Sequence, residues 1–570
     1  MASIYLLCFA AVFHAAHAIW PIPIDISTGN DALALSGDFT ISVDSPAPSD
    51  LLDAVNRTIE FVQNDKLEAL IVGRGASYAE RLQTAPLLSS LVLSFGSGHD
   101  GVVKSISEEA MADIDARVEG YTLTIPNDGS QATLTANSSL GLFRGLTTFG
   151  QLWYYLNGTT YTVEAPISIA DSPIYPYRGL MLDTSRNYFP VADILRTLDV
   201  MSWVHMTTFH WHMVDSQSFP VEVPEFPDLS AKGAYGPSMI YSTEDVQNIV
   251  SYAAARGIDV LPEIDTPGHT TSIGEAFPEH VACALATPWA NYANEPPAGQ
   301  LRLANSNTTD FTASLFSAVS ARFPGKYFST GGDELNTECY TIDKATQADL
   351  KASGKTLEQA LDTFVQATHG ALKNNGKTPV VWEGISSLKE SDTSILTVRL
   401  AEMVLNFNLT LSNETIVMVW ISSADASAVA EKGFRLVHAP SDYMYLDCGA
   451  GEWIGDTPDA TSWCDPFKSW QHTYTFDPTA NMTDAQAKFV IGGEQLLWTE
   501  QSGPSNLDSI VWPRAGASAE LFWSGPGRNI SSALPRLHDI AFRMTQRGIG
   551  AIPLQPLWCA LRPGVCDLTA

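Results

Sequence analysis

Two different rhythms of apolar and polar residues divide the chain near residue 173. The first part mixes period-two alternation, typical of half-buried strands, with the three- to four-residue spacing of amphipathic helices. It predicts strands at residues 39–43, 120–126 and 132–136 and helices at residues 51–64 and 140–155. The second and third of these strands flank Asn-Asp-Gly-Ser, a hairpin signal. We therefore predict a smaller α+β domain over residues 19–172.

From residue 173 onward, buried apolar strands alternate with amphipathic helices. Pro190 at a first helical position and the capping-box spacing of Ser242 and Asp245 mark two of the helix starts. The predicted strands are residues 179–183, 207–214, 258–264, 327–330, 378–382, 416–420, 435–438 and 489–496. Eight strand–helix units over about 370 residues predict an α/β fold, a (β/α)8 TIM barrel, over residues 173–570.

The first 18 residues predict a secretory signal peptide. An apolar stretch at residues 4–13 precedes Ala16-His17-Ala18, a cleavage site of small residues. Removing this segment takes Cys8 from the seven cysteines and leaves six, an even number suited to an oxidising compartment. Glycosylation sequons occur at Asn56, Asn137, Asn157, Asn307, Asn408, Asn413, Asn481 and Asn529. Together these features predict a secreted glycoprotein.

Charge and hydropathy exclude two classes of partner. The formal net charge is −31, which repels nucleic acid and anionic membrane surfaces. After the signal, no apolar run reaches the roughly 18 residues of a membrane span. Gly96-Ser97-Gly98-His99-Asp100-Gly101 matches a dinucleotide-binding pattern, but no helix opens directly after it, so we interpret it as a loop.

The carboxyl ends of the predicted barrel strands carry many acids and tryptophans and almost no cations. They are Asp183, Asp215, Glu263, Asp265, His269, Asp333, Glu334, Trp382, Glu383, Trp420, Tyr445, Asp447, Trp498 and Glu500. Catalytic groups of TIM barrels lie at this end. Carboxylates accept hydrogen bonds from hydroxyls and indole faces stack on sugar rings, so the ends predict a neutral polyhydroxy ligand. Asp333 and Glu334, after two glycines, are the candidate acid–base pair.

A metal site is the alternative for His210 and His212, which alternate and share one strand face. Spacing places no third ligand beside them. We therefore predict neither a metal nor another cofactor.

Four stretches together resemble glycoside hydrolase family 20, the β-N-acetylhexosaminidases, and its secreted fungal branch in particular. They are Tyr-Arg-Gly-Leu-Met-Leu-Asp at 177–183, His-Trp-His-Met-Val-Asp-Ser-Gln-Ser-Phe-Pro at 210–220, Pro-Glu-Ile-Asp-Thr-Pro-Gly-His at 262–269, and Gly-Gly-Asp-Glu at 331–334. The resemblance covers nearly the whole chain. It implies an exo-acting, retaining enzyme that removes terminal β-linked GlcNAc or GalNAc from chitooligosaccharides and glycoconjugates.

The resemblance also implies a role for each site residue. The 2-acetamido oxygen of the substrate would attack the sugar and form an oxazolinium intermediate. Glu334 would be the acid and base, Asp333 would orient the acetamido group, and Tyr445 would donate to its oxygen. Asp215 and His269 would tune Glu334. The implied sugar contacts are Trp382, Trp420 and Trp498 around the acetamido methyl, Trp470 under the ring, and Arg178, Asp447 and Glu500 at the hydroxyls.

Six cysteines allow 15 pairings. Position within the family's barrel suggests the pairs Cys283–Cys339, Cys448–Cys464 and Cys559–Cys566. Fungal relatives add two further expectations, a homodimer and a bound propeptide. Residues 19 to about 100 are the candidate propeptide, although no dibasic pair marks a cleavage site.

One alternative of another class stays open at this point, a catalytically inactive carbohydrate-binding protein on the same scaffold. The intact acid pair argues against it. A chromogenic GlcNAc glycoside would distinguish the two.

Overall fold

The computed structural model describes residues 19–99, 101–383, 400–401, 409–455 and 458–567. The predicted signal peptide with Cys8, and the sequon at Asn408, lie outside these residues. The other seven sequon asparagines are exposed. Within the described residues, no helix combines the length and apolarity that crossing a membrane requires.

The amino-terminal domain is a six-stranded sheet covered by helices. Its strands are β1 Asp25–Val43, β2 Leu87–Phe95, β3 Tyr121–Ile125, β4 Ala132–Ala136, β5 Tyr154–Leu156 and β6 Thr159–Asp171. Its helices are α1 Ser49–Asn64, α2 Ala79–Leu82, α3 Ile106–Ala110 and α4 Ser139–Gln151. The strand order is β1-β2-β4-β3-β6-β5, with a further β1–β6 pairing, and β3 and β4 form the predicted antiparallel hairpin.

Helix α4 is shorter than the sequence predicts. It begins after Ser138, whose side chain caps the amide of Gly141, and it ends at Gln151 rather than at residue 155. Strand β5 follows and pairs antiparallel with β6 across Asn157 and Gly158, both at positive φ. The Asn-Gly pair is a hairpin signal that outweighs the helical spacing here.

The second part of the chain is a closed barrel of eight parallel strands. They are β7 Tyr177–Asp183, β8 Thr208–Val214, β9 Asp259–Ile264, β12 Tyr327–Ser329, β14 Thr378–Trp382, β16 Ile416–Val419, β17 Arg435–His438 and β19 Val490–Leu497. Pairing of β17 with β19, and of β19 with β7, closes the ring. The TIM barrel and its preceding α+β domain are therefore confirmed.

Short strands lie in the loops at the carboxyl end of the barrel. They are β10 Val281–Ala282, β11 Gln300–Leu301, β13 Leu335–Asn336, β15 Leu400–Ala401 and β18 Tyr445–Asp447. Two of these strands, β10 and β11, pair with each other; β13 pairs with β15, and β18 adds to the end of β19.

Amphipathic helices surround the barrel. They are α5 Val191–Trp203, α6 Asp228–Gly233, α7 Thr243–Ala254, α8 Thr271–Ala276, α9 Ser306–Ser320, α10 Thr337–Ile342, α11 Lys344–Ser353, α12 Leu357–Asn374, α13 Ala426–Glu431, α14 Trp470–Tyr474, α15 Asp484–Ala487, α16 Leu507–Val511, α17 Arg514–Ser524, α18 Ile530–Gln546 and α19 Leu557–Ala560. Helix α7 begins with the predicted capping box, in which Ser242 and Asp245 exchange hydrogen bonds.

Buried arginines join the amino-terminal domain to the amino end of the barrel. Arg144 of α4 and Arg178 of β7 both donate to Oε2 of Glu119, over 2.8 and 2.5 Å. Arg144 also donates to the Gly257 carbonyl at the start of the β9 segment. All three charged side chains are at least 98% buried. Paired buried charges therefore hold the interface between the two domains, since buried charges persist only when they are paired.

Candidate active site

The acid pair lies on a tight turn after β12. Gly331 and Gly332 have φ of +65° and +103°, and Glu334 has φ of +59°. A Cβ on Gly331 would lie 1.8 Å from Oδ1 of Asp265, so only glycine fits there. This turn points the side chain of Asp333 inward. The side chain of Glu334 is 21% exposed, so Glu334 is the more accessible of the two acids.

Glu334 is the end of a hydrogen-bonded relay. Nε2 of His269 lies 3.1 Å from Oε2 of Glu334, and Nδ1 of His269 lies 3.0 Å from Oδ1 of Asp215. Burial lowers the pKa of His269, but the charge of Asp215 outweighs it and keeps the pKa well above its ordinary value. Burial raises the pKa of Asp215, yet Arg186 and His269 hold it well below the usual range. The structure thus brings these three residues together.

Asp333 stands beside a second buried carboxyl group, that of Asp265. Burial raises the pKa of Asp333 to about 6; the charge of Glu334 adds to this, and His269 opposes it. Burial and then the charge of Asp333 hold the pKa of Asp265 well above its usual range. Oδ1 of Asp333 is buried without a hydrogen-bond partner among the described residues. A buried oxygen without a hydrogen-bond donor costs free energy of folding, unless a bound ligand supplies the donor.

The arginine at the site is Arg186, and the assignment of Arg178 to the sugar hydroxyls is contradicted. Arg178 is the second residue of β7, at the opposite end of the barrel, where it pairs with Glu119. Nη1 of Arg186 lies 2.9 Å from Oδ2 of Asp215, and its guanidinium carbon lies 5.0 Å from the centre of the Trp498 ring. Its other terminal nitrogen, Nη2, contacts Oε2 of Glu295 at 2.9 Å.

Aromatic rings wall the pocket beside the acid pair. The ring centres of Trp382 and Trp498 are 6.1 Å apart, and that of Tyr445 lies 6.3 Å from Trp498. Trp420 meets Trp463 edge to face at 5.6 Å, and Trp463 also contacts the ring of Tyr445 at 5.7 Å. Trp463 was not predicted from the sequence, because it is 61% exposed and lies in a loop with no periodic signal.

Trp470 does not belong to this wall, which corrects its predicted place under the sugar ring. It is the first residue of α14, is 4% exposed and packs against Tyr474 in the core that contains Trp20. Trp382, Trp420 and Trp498 belong to a separate cluster around Tyr445. A helix turns Trp470 away from the pocket, and sequence spacing alone did not reveal that helix.

Two further predicted acids, Asp447 and Glu500, stand at the strand ends near the rings. Asp447 accepts hydrogen bonds from the amide of Ala450 and the hydroxyl of Ser502. Burial, and then the charge of Glu295, keeps the pKa of Glu500 well above its ordinary value. Buried polar atoms without a partner among the described residues include Oε2 of Glu500 and the indole nitrogens of Trp382 and Trp498. With Asp333 they offer donors and acceptors to a polar ligand.

Disulfides stiffen the rim of the pocket, and the three suggested pairs are confirmed. Cys283–Cys339 ties the loop after β9 to helix α10, which follows the acid pair, with 5.9 Å between the Cα atoms. Cys448–Cys464 closes the loop that carries Trp463, and Cys559–Cys566 lies near the carboxyl terminus. Preorganised loops reduce the ordering that ligand binding requires.

His210 and His212 hydrogen-bond to carboxylates through both ring nitrogens, so neither has a free metal ligand. The ligand atoms of Asp215, Asp265 and His269 do cluster within 4.8 Å. Both nitrogens of His269 are hydrogen-bonded, however, and Arg186 already supplies positive charge to Asp215. All three residues therefore already have hydrogen-bonded or charged partners within the protein.

The fold and the site together define a glycoside hydrolase: a TIM barrel whose strand ends present an acid pair, a histidine relay and a wall of indole rings. A model described as "Glycosyl hydrolase family 20, catalytic domain" matches residues 175–526, and one described as "beta-acetyl hexosaminidase like" matches residues 19–152. The chain belongs to glycosyl hydrolase family 20, as its motifs predict.

Named relatives support the same family. The chain is 35% identical over 471 residues to a beta-hexosaminidase of Arthroderma benhamiae, covering 79% of this chain and 74% of the relative. It is 33% identical to a chitooligosaccharidolytic beta-N-acetylglucosaminidase of Bombyx mori, covering 80% and 76%. The Flavobacterium johnsoniae chitobiase structure matches with a TM-score of 0.71 and 25% identity, covering 93% of this chain and 73% of that one.

Proposed function

We propose that the protein is an exo-acting, retaining β-N-acetylhexosaminidase that hydrolyses terminal GlcNAc or GalNAc by substrate-assisted catalysis. The observation that carries this proposal is the neighbouring pair Asp333 and Glu334, in which Oδ1 of Asp333 is buried and unpartnered. A retaining enzyme of the two-carboxylate type uses its second carboxylate as the nucleophile, and family 20 is an exception to that scheme.

The two acids act on neighbouring parts of one sugar. Glu334 protonates the leaving oxygen and later deprotonates the attacking water. Asp333 accepts the acetamido N–H, orients the carbonyl oxygen for attack on the anomeric carbon and balances the positive charge of the oxazolinium intermediate. Tyr445 donates its hydroxyl to the acetamido oxygen. Covalent attack by a protein residue is not needed, because the substrate carries its own nucleophile.

The surrounding residues hold the sugar. Trp382, Trp420 and Trp498 enclose the acetamido methyl and exclude water from the reactive intermediate. Arg186, Asp447 and Glu500 bind the sugar hydroxyls. Arg186 takes the role that the family resemblance implied for Arg178. Asp215 and His269 tune the proton of Glu334. The name of the Bombyx relative, a chitooligosaccharidolytic beta-N-acetylglucosaminidase, supports chitooligosaccharides as one substrate class.

Export and assembly are part of the same proposal. Seven exposed sequons and three disulfides support a secreted glycoprotein. The homodimer rests on the family resemblance, and light scattering of the purified protein tests it.

Replacing Glu334 by Gln tests the assignment of the acid. Glu334→Gln keeps the shape of the side chain but cannot donate or accept the catalytic proton, so we expect at least about a hundredfold loss of kcat on a chromogenic GlcNAc glycoside. The matched control, Glu338→Gln on α10, changes an acid of the same type that the proposal leaves unused.

Substrate choice tests the mechanism separately from the acid. The wild-type enzyme should cleave the GlcNAc glycoside and leave the corresponding plain β-glucoside nearly untouched, because the glucoside lacks the nucleophile. Rapid cleavage of the glucoside would rule out participation of the acetamido group, and near wild-type turnover by Glu334→Gln would end the acid assignment.

A further inference from the structure

Hydrogen bonds continue beyond Asp215 into the barrel, where four carboxylates and three imidazoles alternate without interruption. Their order is Glu494, His210, Glu263, His212, Asp215, His269 and Glu334. We call this set the carboxylate–imidazole chain. It extends from the interior of β19 through β8 and β9 to the catalytic turn.

The three histidines of the carboxylate–imidazole chain are oriented in the same direction. In each histidine, Nδ1 faces the carboxylate nearer Glu494 and Nε2 faces the carboxylate nearer Glu334. Nδ1 of His210 lies 2.9 Å from Glu494 and its Nε2 lies 3.1 Å from Glu263. His212 hydrogen-bonds to Glu263 through Nδ1, and its Nε2 lies 2.8 Å from Asp215. Each carboxylate between two histidines uses a different oxygen for each, so no oxygen accepts from two histidines.

Both nitrogens of every imidazole therefore meet an acceptor. A ring with one proton would leave one nitrogen lone pair against a carboxylate lone pair, which is unfavourable in a dry interior. His210, His212, Glu263 and Glu494 are fully buried. Although burial lowers the pKa of His210, the charges of Glu494 and Glu263 raise it to about 9. Burial also lowers the pKa of His212, but hydrogen bonds to Asp215 and Glu263 outweigh burial and keep this pKa well above its ordinary value.

Other polar and charged groups lie next to the carboxylate–imidazole chain. Tyr177 donates to the second oxygen of Glu494 over 2.6 Å, and Ser329 donates to Glu263. The charged or titratable neighbours are Asp183, Arg186, Asp265, Glu295, Asp333 and Asp259. Arg186 is the cation among them. Its Nη1 lies 2.9 Å from Oδ2 of Asp215 and 3.4 Å from Nε2 of His212, and that same Oδ2 lies 2.8 Å from Nε2 of His212, so both nitrogens face one carboxylate oxygen.

We propose that the carboxylate–imidazole chain holds His269 as an imidazolium that donates to Oε2 of Glu334, and thereby confines the catalytic proton to Oε1. Among the described residues, Oε1 has no hydrogen-bond partner. His210, Glu263, His212 and Glu494 are positioning residues, since they act through His269. The inference rests on the proposed role of Glu334 as the acid.

Protons balance in this arrangement. Six hydrogen bonds link the seven groups, and each holds one proton, so three imidazolium rings face the ionised Glu494, Glu263 and Asp215. With Glu334 protonated on Oε1 the chain is neutral. Transfer of that proton to the leaving oxygen leaves a charge of −1 on Glu334, and none of the six chain protons moves. The proton returns to Oε1 from the attacking water.

Nuclear magnetic resonance of the full-length protein with ¹⁵N-labelled histidine tests the charge of the three rings directly. At neutral pH without ligand, we expect His210, His212 and His269 to carry a proton on both ring nitrogens. His205 is the internal control. It is buried beside Arg144 and Arg178, and its ring nitrogens have no hydrogen-bond partner among the described residues. Burial, and then the charges of these two arginines, keep its pKa well below the ordinary value. It should be neutral. A neutral ring among the first three overturns the proposal.

Leaving-group dependence tests the consequence for catalysis. Glu494→Gln removes the charge that holds His210 as a cation, so we expect about a tenfold loss of kcat/KM on chitobiose, whose leaving group needs a proton. A dinitrophenyl glycoside leaves without protonation and should lose less than about twofold. Tyr177→Phe is the matched control, because it deletes a hydrogen bond to the same carboxylate but no charge, and it should spare both substrates.

The outcomes separate this inference from the proposed function. Equal losses of kcat/KM on both substrates in Glu494→Gln would show that Glu494 has only a structural role. That result would overturn the proposal for the carboxylate–imidazole chain. If Glu334→Gln remains active while the three rings are cationic, the acid assignment fails and the charge state of the chain stands. If Glu334→Gln is inactive and one of the three imidazole rings is neutral, the proposed function stands and the proposal for the carboxylate–imidazole chain fails.

Discussion

At the scale of single residues, Asp333 and Glu334 show how one turn gives two adjacent carboxyl groups different surroundings. Asp333 is 7% exposed, and its unpartnered oxygen is buried, whereas Glu334 reaches the opening of the pocket through a left-handed backbone conformation. Burial raises the pKa of Asp333 to about 6. Because the ionised form is the one that accepts an N–H, the proposed mechanism predicts a limb in the pH profile of the enzyme.

Asp333→Asn should remove that limb. In the wild type, kcat/KM on a GlcNAc glycoside should fall as the pH drops through about 6, since protonated Asp333 no longer accepts the acetamido N–H. The asparagine does not ionise, so its profile should lack this limb and lie about a hundredfold lower at its maximum. Asp310→Asn, at an exposed position of α9, should keep the wild-type profile. An acidic limb that persists in Asp333→Asn would assign it to another group.

Residue positions were predicted best where strand ends fixed them. Asp333, Glu334, His269 and Asp215 follow strands, and the barrel brings them together. Arg178 came from a motif alone, although its place at the amino end of β7 puts it on the far side of the barrel. Trp463 could not be predicted, because a disulfide-closed loop rather than a periodic element carries it.

At the scale of elements, the turn after β12 is the least replaceable segment of the site. Gly331 combines positive φ with the closest approach that a Cβ would make to Asp265. Its Cβ would also lie 2.8 Å from the Cα of Asp265, which is backbone and does not move aside.

Gly331→Ala should therefore lose both stability and activity. Gly376→Ala is the matched control, because Gly376 has a similar φ of +72° but no atom within 4 Å of its Cβ position. The control should lose about 1 kcal/mol of unfolding free energy from backbone strain alone. Gly331→Ala should lose at least about 2 kcal/mol more through the clash. Denaturant unfolding and kcat/KM measure the two effects, and equal stability of the two variants would contradict the steric argument.

The eight barrel strands were predictable because each is a short buried apolar run between a helix and a turn. Strand β5 was missed, because Tyr154–Leu156 continues the apolar spacing of α4, and the Asn157-Gly158 hairpin signal after it is what separates the strand from the helix. The carboxylate–imidazole chain likewise depends on register between β8, β9 and β19, which sequence spacing does not give.

At the scale of the whole molecule, Glu119 couples the two domains. Burial raises its pKa, but Arg178 and Arg144 outweigh burial and hold the pKa below the ordinary value. The ionised pair therefore contributes stability above the unfolded-state pKa, and this contribution is lost as the pH falls through the lower folded-state pKa.

Glu119→Gln should destabilise the protein by about 3–5 kcal/mol, because it leaves two buried guanidinium groups without a counter-charge. Glu68→Gln is the matched control, since its ion pair with Arg74 is half exposed, and it should lose no more than about 1 kcal/mol. Unfolding measured from pH 7 to pH 3 should show a weaker acid dependence in Glu119→Gln than in the wild type. Similar losses in the two variants would argue against a fixed interface.

The packing of Trp20 sets the order in which the molecule is completed during synthesis. Its indole nitrogen donates to the carbonyl of Gly516, 496 positions later, and Arg536 of α18 lies over its ring. At about 5–20 residues per second, a ribosome needs roughly 25 to 100 s to make the intervening chain. For that time Trp20 and the open edge of β7 wait for partners. The apolar surface around Trp20 therefore stays exposed for most of synthesis, and the yield of folded protein should depend on how well that surface is shielded meanwhile.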